Sequence, residues 1–384
     1  MAITETKKGV CVSGFKAAGV REGKYGVALI TCDKPCCSAG VFTQNSCRAA
    51  PVVLTERRVK KGIKAVIANS GCANACVKEG IKDAVKMSEI AGSLLGIKKE
   101  HIGVASTGII GRRINLEIIQ ALALKAGKKL SNSPRSSMAA AKALMTTDTK
   151  PKQVSVRQKG LEVGGICKGA GMIAPEMATM LCFITTNADI KQSRLQKALE
   201  DSVEKSFNMT LVDGDTSTND TVILISSCRR KCSESRFQKL LDYVTTGLAK
   251  KIAQDGEGAS KYLEFEVKNA GNPKEAREVA RALAASPLVK TAFYGENPNW
   301  GRIISTIGNT TGVNPMKITI NYSSRNGTVD VFNQGRNGDL KKAEKVLKQK
   351  GIRISVNLRK GKAKAVSYTC DLTEEYVKVN AGYS

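Results

Sequence analysis

Residues 168–181 read Lys-Gly-Ala-Gly-Met-Ile-Ala-Pro-Glu-Met-Ala-Thr-Met-Leu and join a glycine-rich segment to an apolar run. Residues 169–174 match the GxGxxG/A pattern of dinucleotide-binding folds, which requires a helix that begins at the glycines. Pro175 follows instead, and a strand-like run starts at Met180. The stretch therefore argues against a Rossmann fold and predicts a turn that leads into a buried strand.

The segments on either side of this stretch alternate between strand and helix patterns. Residues 81–95 place apolar side chains on one helical face, which predicts an amphipathic helix. Capping-box patterns predict helix starts at Ser193 with Gln196 and at Ser235 with Gln238. Short runs rich in β-branched residues predict strands at 27–31, 64–69, 180–186 and 221–226.

The last third of the chain shows the same alternation. Asn272-Pro273 predicts the start of a helix that ends near residue 285. Further strands are predicted at 317–322, 352–358 and 363–369, with a helix at 340–348. The class is therefore α/β, or α+β, with mixed sheets layered with helices. A change in character near residues 255–272 predicts a later subdomain.

Composition limits the class of protein. The 384 residues are 42% hydrophobic, enough for one large or two ordinary domains with a sizeable core. The longest apolar runs are far shorter than the roughly 20 residues of a spanning helix. No basic region followed by an apolar segment opens the chain. We therefore expect a soluble, cytoplasmic protein with no membrane partner.

The net charge of +27, from 61 Lys and Arg against 34 Asp and Glu, suits an anionic partner. The basic residues are dispersed, and aromatic residues make up only 4% of the chain, so stacking platforms for single-stranded nucleic acid are not expected. A solvated basic surface is the preferred interpretation. A basic nucleic-acid-binding protein stays open as an alternative from a different class.

The chain has one histidine, His101, and twelve cysteines without a CxxC pair. A multi-histidine zinc site is impossible, and the cysteines are expected to be free thiols rather than metal ligands. The acidic segment 213–221 lacks the ligand spacing of an EF-hand. Asp213, Asp215 and Asn219 are therefore predicted to be turn residues that bond the local backbone. No metal is expected.

Clusters of small, polar and glycine-rich residues lie between the predicted elements, where functional sites usually form. They occupy residues 69–76, 106–111, 146–149, 168–175, 213–221, 255–260, 297–302 and 380–384. With residues 39–43 and 49–52 they resemble, in order and over the whole chain, the ornithine acetyltransferases. These arginine-biosynthesis enzymes are also called glutamate N-acetyltransferases and form the ArgJ family.

The resemblance implies the ArgJ/DmpA-like fold and a precursor that cuts itself between Ala178 and Thr179. Residues 1–178 would form an α chain, and residues 179–384 a β chain with a C-terminal subdomain from about residue 265. The implied assembly is an α2β2 heterotetramer. Thr179 would be the nucleophile, because its new α-amine, with a pKa of about 7.7–8.0, can act as base for its own hydroxyl.

The resemblance also implies the remaining site residues. Thr107 and Gly108 would form an oxyanion hole. Lys168 would pair with the substrate α-carboxylate and Glu257 with the amine of ornithine. Without the family match, these two residues are interpreted as a surface lysine and a turn glutamate. The implied substrate-binding residues are Thr146 (with Thr147 as the alternative), Lys168, Thr179, Glu257, Asn380 and Ser384.

The implied reaction is ping-pong transfer of acetyl from N2-acetylornithine to L-glutamate through acetyl-Thr179. No metal or organic cofactor is expected, and acetyl-CoA enters as a substrate only if the enzyme is bifunctional. A self-processing aminopeptidase or amidase of the related fold is the alternative. The chain departs from the family pattern at Cys72, where Asn is common, at Asn297, where Asp is usual, and at Ser384, which ends the chain early.

Overall fold

The computed structural model describes residues 2–34, 36–174 and 180–382. Ala178, Thr179 and Ser384 lie outside the described residues. Two compact units share the chain. Unit 1 takes the described parts of Met1–Met172, Glu176–Phe207 and Asp215–Leu248. Unit 2 takes those of Ile173–Pro175, Asn208–Gly214 and Ala249–Ser384.

Unit 1 contains two mixed sheets. The first has the order β1-β7-β8-β9-β10-β4, and the second has the order β2-β3-β5-β6. The β9–β10 and β5–β6 pairs are parallel, and the other pairs are antiparallel. The strands are β1 Thr4–Glu5, β2 Phe15–Glu22, β3 Tyr25–Cys32, β4 Cys37–Phe42, β5 Ala65–Ser70, β6 Ile102–Ser106, β7 Lys152–Gln158, β8 Leu161–Lys168, β9 Leu181–Asp189 and β10 Thr221–Lys231.

Helices cover these sheets and form layers with them. The helix α4 contacts strands of both sheets, and its alanines join a core with residues of β3, β8 and β9. The helices α2 and α3 pack on the second sheet around another core. The helices are α1 Ala50–Val59, α2 Gly80–Leu95, α3 Leu116–Gly127, α4 Pro134–Leu144, α5 Gln192–Lys205 and α6 Glu234–Gln254, the last of which runs into unit 2.

Strand register places one end of the first sheet next to the functional clusters. Lys168 pairs with Leu181, Leu181 with Thr221, and Thr221 with Phe42, so these four residues form one row across the sheet. The end of β8, the start of β9 and the start of β10 therefore meet at the same edge. Residues just outside this row are brought together although they are up to about 180 positions apart.

Unit 2 contains a mixed six-stranded sheet with the order β14-β13-β12-β15-β11-β16. Apolar residues of its strands and helices form a separate core. The strands are β11 Tyr262–Ala270, β12 Thr319–Ser324, β13 Gly327–Asn333, β14 Arg336–Asn337, β15 Gly351–Asn357 and β16 Ala363–Cys370. The helices are α7 Pro273–Ala285, α8 Pro287–Tyr294, α9 Trp300–Thr310, α10 Leu340–Leu347 and α11 Glu374–Gly382.

The mixed α/β class is confirmed, and most predicted elements lie within two residues of their observed bounds. The helix predicted at Asn272-Pro273 is present, and the Asn272 side chain accepts a hydrogen bond from Glu275 N. The remaining elements were not predicted: the strands β1, β2, β4, β6, β7, β8, β11, β13 and β14 and the helices α1, α3, α4, α8, α9 and α11.

The two predicted capping boxes are wrong. Ser193 and Ser235 each lie inside a helix that starts one residue earlier. The Gln196 amide instead bonds the backbone N and O of Gly40 on β4, at 3.0 and 2.9 Å. The Gln238 amide bonds Ser202 Oγ at 2.8 Å. Tertiary partners use both side chains, which a local pattern does not reveal.

All twelve cysteines are free thiols, as expected, but only six are buried. Within the described residues, no helix has the length and apolar character needed to cross a membrane. His101 is half-buried, and its Nδ1 lies 2.7 Å from Gly62 O.

Candidate active site

Thr107 and Gly108 follow β6 in a tight turn beside the 71–72 backbone. Thr107 N donates to Asn69 O at 3.0 Å, and the Thr107 side chain is buried. Gly108 has φ +132°, and a Cβ there would lie 2.4 Å from Gly71 C and 2.5 Å from Cys72 N. Only glycine fits this position. Among the described residues the Gly108 N–H has no hydrogen-bond partner, so it is available to an oxygen next to the Thr107 hydroxyl.

Lys168 lies at the end of β8 and points its ammonium at this turn. Its Nζ is 3.2 Å from Thr107 Oγ1, and the residue is only 3% exposed. The alternative interpretation of Lys168 as a surface lysine is therefore wrong. A buried ammonium beside a hydroxyl and a free N–H makes an electropositive corner, which favours a carboxylate or a developing oxyanion.

The Asp148 carboxylate supplies the negative charge next to this electropositive corner. Its Oδ1 accepts from Lys152 Nζ at 2.6 Å and from Gly169 N at 2.7 Å, and its Oδ2 accepts from Thr146 N at 3.1 Å. Burial alone would raise the pKa of Asp148. The Lys168 and Lys152 charges and the Gly169 N–H outweigh that effect and hold the pKa below its usual value. Asp148 is therefore a buried carboxylate that connects the Thr146 turn to Lys168.

The segment before β10 forms another buried part of the site, and here the turn interpretation is wrong for Asn219. Asn219 Nδ2 donates to Ala73 O at 2.7 Å and to Ser106 O at 2.8 Å, which joins β6 to a distant loop. Asp220 is fully buried, and its Oδ1 accepts from Met180 N at 2.9 Å. These side chains serve tertiary contacts rather than a local turn.

Asp213 lies in unit 2 and also departs from the turn interpretation. Its Oδ1 accepts from Ile173 N at 2.9 Å. That partner lies forty positions earlier in the chain, so the contact is not the local backbone bond that the segment pattern predicted.

Glu257 and Asn380 lie together in unit 2. Asn380 Nδ2 donates to Glu257 Oε2 at 2.9 Å. The turn that carries Glu257 is pressed against the start of α11, because a Cβ at Gly258 would lie 2.3 Å from Tyr376 N. Thr373 Oγ1 also donates to Gly258 O at 2.7 Å. Glu257 is half-buried and Asn380 is exposed, so this pair is open to water.

The structure thus brings Thr107, Gly108 and Lys168 together in unit 1 and places Thr146 on Asp148. It also brings Glu257 and Asn380 together in unit 2. Sequence reasoning missed Asp148, Lys152, Asn219 and Asp220 as parts of the site. The only signal was that three of them fall within the polar clusters at 146–149 and 213–221.

Comparison with known proteins shows the family to which the chain belongs. The family model described as the ArgJ family matches residues 12–384. The chain belongs to the ArgJ family. The glutamate N-acetyltransferase of Methanothermobacter thermautotrophicus is 44% identical over 399 residues, covering 100% of this chain and 99% of the relative. The arginine biosynthesis bifunctional protein ArgJ of Archaeoglobus fulgidus is 41% identical over 377 residues, covering 97% and 98%.

A solved chain of the arginine biosynthesis bifunctional protein ArgJ of Bacillus halodurans is 39% identical. It covers 52% of this chain and 98% of its own length, with a TM-score of 0.49. The ArgJ-family membership confirms the family that the sequence predicted and, with the relatives' names, the enzyme class, an acyltransferase. Those names agree with an acetyltransferase and not with the aminopeptidase alternative.

Proposed function

We propose that this chain is a glutamate N-acetyltransferase that moves acetyl from N2-acetylornithine to L-glutamate. The observation that carries the proposal is the buried corner in which Lys168 Nζ contacts Thr107 Oγ1 beside the available Gly108 N–H. Acyl transfer passes through a tetrahedral oxyanion, and preorganised donors in a buried site stabilise that charge strongly. Family membership and the names of full-length relatives support the same reaction.

The proposed nucleophile is Thr179, released as a chain terminus by cleavage after Ala178. Its hydroxyl attacks the preceding carbonyl, and an N→O acyl shift gives an ester and frees the α-amine of Thr179. Water then hydrolyses the ester, which releases the Ala178 carboxylate and the Thr179 hydroxyl. That amine then takes the proton of the Thr179 hydroxyl when the hydroxyl attacks the acetyl group. The α chain would be residues 1–178 and the β chain residues 179–384, in an α2β2 assembly.

Each remaining residue has a proposed role. The Thr107 hydroxyl and the Gly108 N–H donate to the tetrahedral oxygen, and Lys168 strengthens the field at the same point. Lys168 also pairs with the substrate α-carboxylate, and Glu257 with the ornithine amine. The proposed substrate-binding residues are Thr146, Lys168, Thr179, Glu257, Asn380 and Ser384.

The reaction proposed is ping-pong. N2-acetylornithine acylates Thr179 and ornithine leaves; glutamate then accepts the acetyl group and becomes N-acetylglutamate. Every proton in this scheme is carried by the chain itself, so no metal or organic cofactor is required. Acetyl-CoA is a donor only if this enzyme is bifunctional. The Archaeoglobus relative is named a bifunctional protein of arginine biosynthesis. A cytoplasmic location is part of the proposal.

The test is the intact mass of the purified, denatured protein together with acetyl transfer from N2-acetylornithine to glutamate. Wild-type protein should give two chains, residues 1–178 and 179–384, and Thr179→Ala should give one uncut chain of 41.0 kDa without transfer. Thr328→Ala, on an exposed position of β13, is the matched control and should be cut and active.

Two outcomes would contradict the proposal. Active wild-type protein that remains a single 41.0 kDa chain would remove the terminal amine as base. Release of acetate at the same rate with and without glutamate would identify a hydrolase. Substituting acetyl-CoA for acetylornithine in the same assay tests bifunctionality.

A further inference from the structure

Asp220 is a fully buried carboxyl group that the proposed reaction does not use. It immediately precedes β10, and its backbone O accepts from Thr43 N at 3.1 Å. One side-chain oxygen, Oδ1, accepts from Met180 N, the first described backbone group after the proposed cleavage point. The other oxygen, Oδ2, is buried and has no hydrogen-bond partner among the described residues.

No cation forms an ion pair with Asp220 in the part of the chain that the structure describes. Lys168, at the end of β8, is the one charged group that acts on it there; Met180 and Thr43 contribute only backbone amides. The Lys168 ammonium contacts Thr107 Oγ1 instead, and Asp148 is the carboxylate that Lys152 pairs with at 2.6 Å. The Lys168 charge acts on Asp148 as well as on Asp220.

A buried carboxylate without an ion pair is strongly disfavoured, so such a group takes up a proton instead. Burial raises the pKa of Asp220 well above its usual value, and the Met180 N–H and the Lys168 charge only partly oppose this. Geometry and electrostatics therefore agree on the same charge state. Protonation also leaves Asp220 with one acceptor and one donor.

We propose that Asp220 is a neutral positioning residue, whose C=O holds the Met180 N–H and whose O–H is a donor at the start of the β chain. The proposal rests on the proposed function, because it concerns the residue that precedes Met180. A carboxylate at this point would stabilise the ammonium form of the Thr179 amine. A neutral carboxyl group positions the chain without adding that charge, so the amine stays free to act as base.

The proposal predicts that asparagine at position 220 preserves the function of Asp220 and that alanine does not. Asparagine keeps a C=O for Met180 N and a donor on the second atom, and it carries no charge. We expect Asp220→Asn to be cut and to keep kcat/KM within about threefold of wild type. The acid limb of its pH profile, that is, the apparent pKa on the acid side of the plot of kcat/KM against pH, should not shift. Asp220→Ala should be cut slowly and lose at least about tenfold in kcat/KM.

Stability against pH gives a readout that does not depend on activity. If the folded protein keeps Asp220 protonated, its stability contribution is complete below the unfolded pKa of about 3.9 and is lost as pH rises. Asp220→Asn has no such loss. The Tm of Asp220→Asn should therefore rise relative to wild type between pH 4.5 and pH 8, measured by thermal unfolding on the full chain.

Asp83→Asn is the matched control, because Asp83 is also a buried carboxyl in unit 1 but pairs with Arg113 at 2.9 Å. Its Tm should fall below wild type, and its acid limb should not move. An acid limb shifted by about one unit or more in Asp220→Asn, or a Tm of Asp220→Asn that falls relative to wild type as pH rises, would identify a carboxylate and overturn the proposal.

The experiments distinguish failure of the proposed function from failure of the neutral role of Asp220. If wild-type protein is active but uncut, the proposed function fails. The Tm difference between wild type and Asp220→Asn still reports the charge of Asp220. If Asp220→Asn is uncut while wild type is cut, the cleavage scheme survives and the neutral role is wrong.

Discussion

Two aspartates of unit 1 are both buried and both feel the charge of Lys168, yet their carboxyl pKa values are shifted in opposite directions. Asp148 receives Lys152 Nζ and the Gly169 N–H on one oxygen and the Thr146 N–H on the other, and its pKa is lowered. From the described residues, Asp220 receives a single backbone N–H on its side chain, and its pKa is raised. Burial acts in the same direction on both, so the partner atoms decide the charge state.

The comparison assigns each aspartate a different task. An ionised Asp148 balances two buried lysines and connects the Thr146 turn to Lys168. A neutral Asp220 holds the start of β9 without adding charge beside the proposed nucleophile. The same residue type thus supplies an anion at one point of the corner and an uncharged contact at another.

The largest expected effect comes from removing the Asp148 charge. Asp148→Asn leaves the Lys152 and Lys168 ammonium groups buried without their carboxylate, so the free energy of unfolding should fall by about 3–5 kcal/mol. Urea unfolding at pH 7 measures the change. Cleavage of the precursor should slow as well, because Gly169 and Lys168 lose their shared support.

The matched double variant Asp148→Asn/Lys152→Met removes the Lys152 ammonium together with the Asp148 carboxylate. It should recover at least about 1 kcal/mol relative to Asp148→Asn. If the loss in the double variant equals the sum of the losses in Asp148→Asn and Lys152→Met, the two residues are not coupled. Because the folded pKa of Asp148 is lowered, its contribution in wild type is present above an unfolded pKa of about 3.9 and disappears as pH falls further.

The next largest effect is a loss of kcat in Gly108→Ala. This variant tests whether Thr107 and Gly108 form the oxyanion hole. Gly108→Ala would push the turn away from the 71–72 backbone and move its N–H, so kcat should fall by about 10²–10³. Steady-state kinetics with acetylornithine and glutamate measure it.

Gly111→Ala is the control, because Gly111 also has a positive φ, +79°, but a Cβ there meets nothing within 4 Å. It should cost stability through backbone strain alone and leave kcat nearly unchanged. Equal losses of kcat in the two variants would mean that strain in the turn, rather than the position of the Gly108 N–H, explains the effect.

The smallest expected effect is in unit 2, where the Glu257–Asn380 pair contrasts with the buried corner. Asn380→Ala should change the free energy of unfolding by less than about 1 kcal/mol, because the pair is open to water. If Asn380 and Glu257 bind the ornithine moiety, KM for acetylornithine should rise about fivefold, which initial rates measure.

Val377→Ala, on an exposed position of the same helix α11, is the control and should leave KM unchanged. A change in KM for glutamate alone would assign the pair to the second substrate instead.

Local signals in the sequence predicted much of the fold. The helix predicted to start at Asn272-Pro273 is present, because its start depends on local groups: the Asn272 side chain accepts from Glu275 N, only three positions away. Gln196 and Gln238 were misassigned, because their amides bond Gly40 and Ser202 across the fold. Contacts of that range leave no local pattern.

By itself, the sequence determined the family, through the order of its polar clusters, and with it the enzyme class. Its single histidine also predicted that another group acts as base, and the resemblance to the family implied the terminal amine of Thr179 for that role. Only the tertiary structure decided that Lys168 is buried against Thr107 and that the pKa values of Asp148 and Asp220 shift in opposite directions. The reason is that a pKa depends on desolvation and on partner atoms, and the strand register brings those atoms from distant parts of the chain.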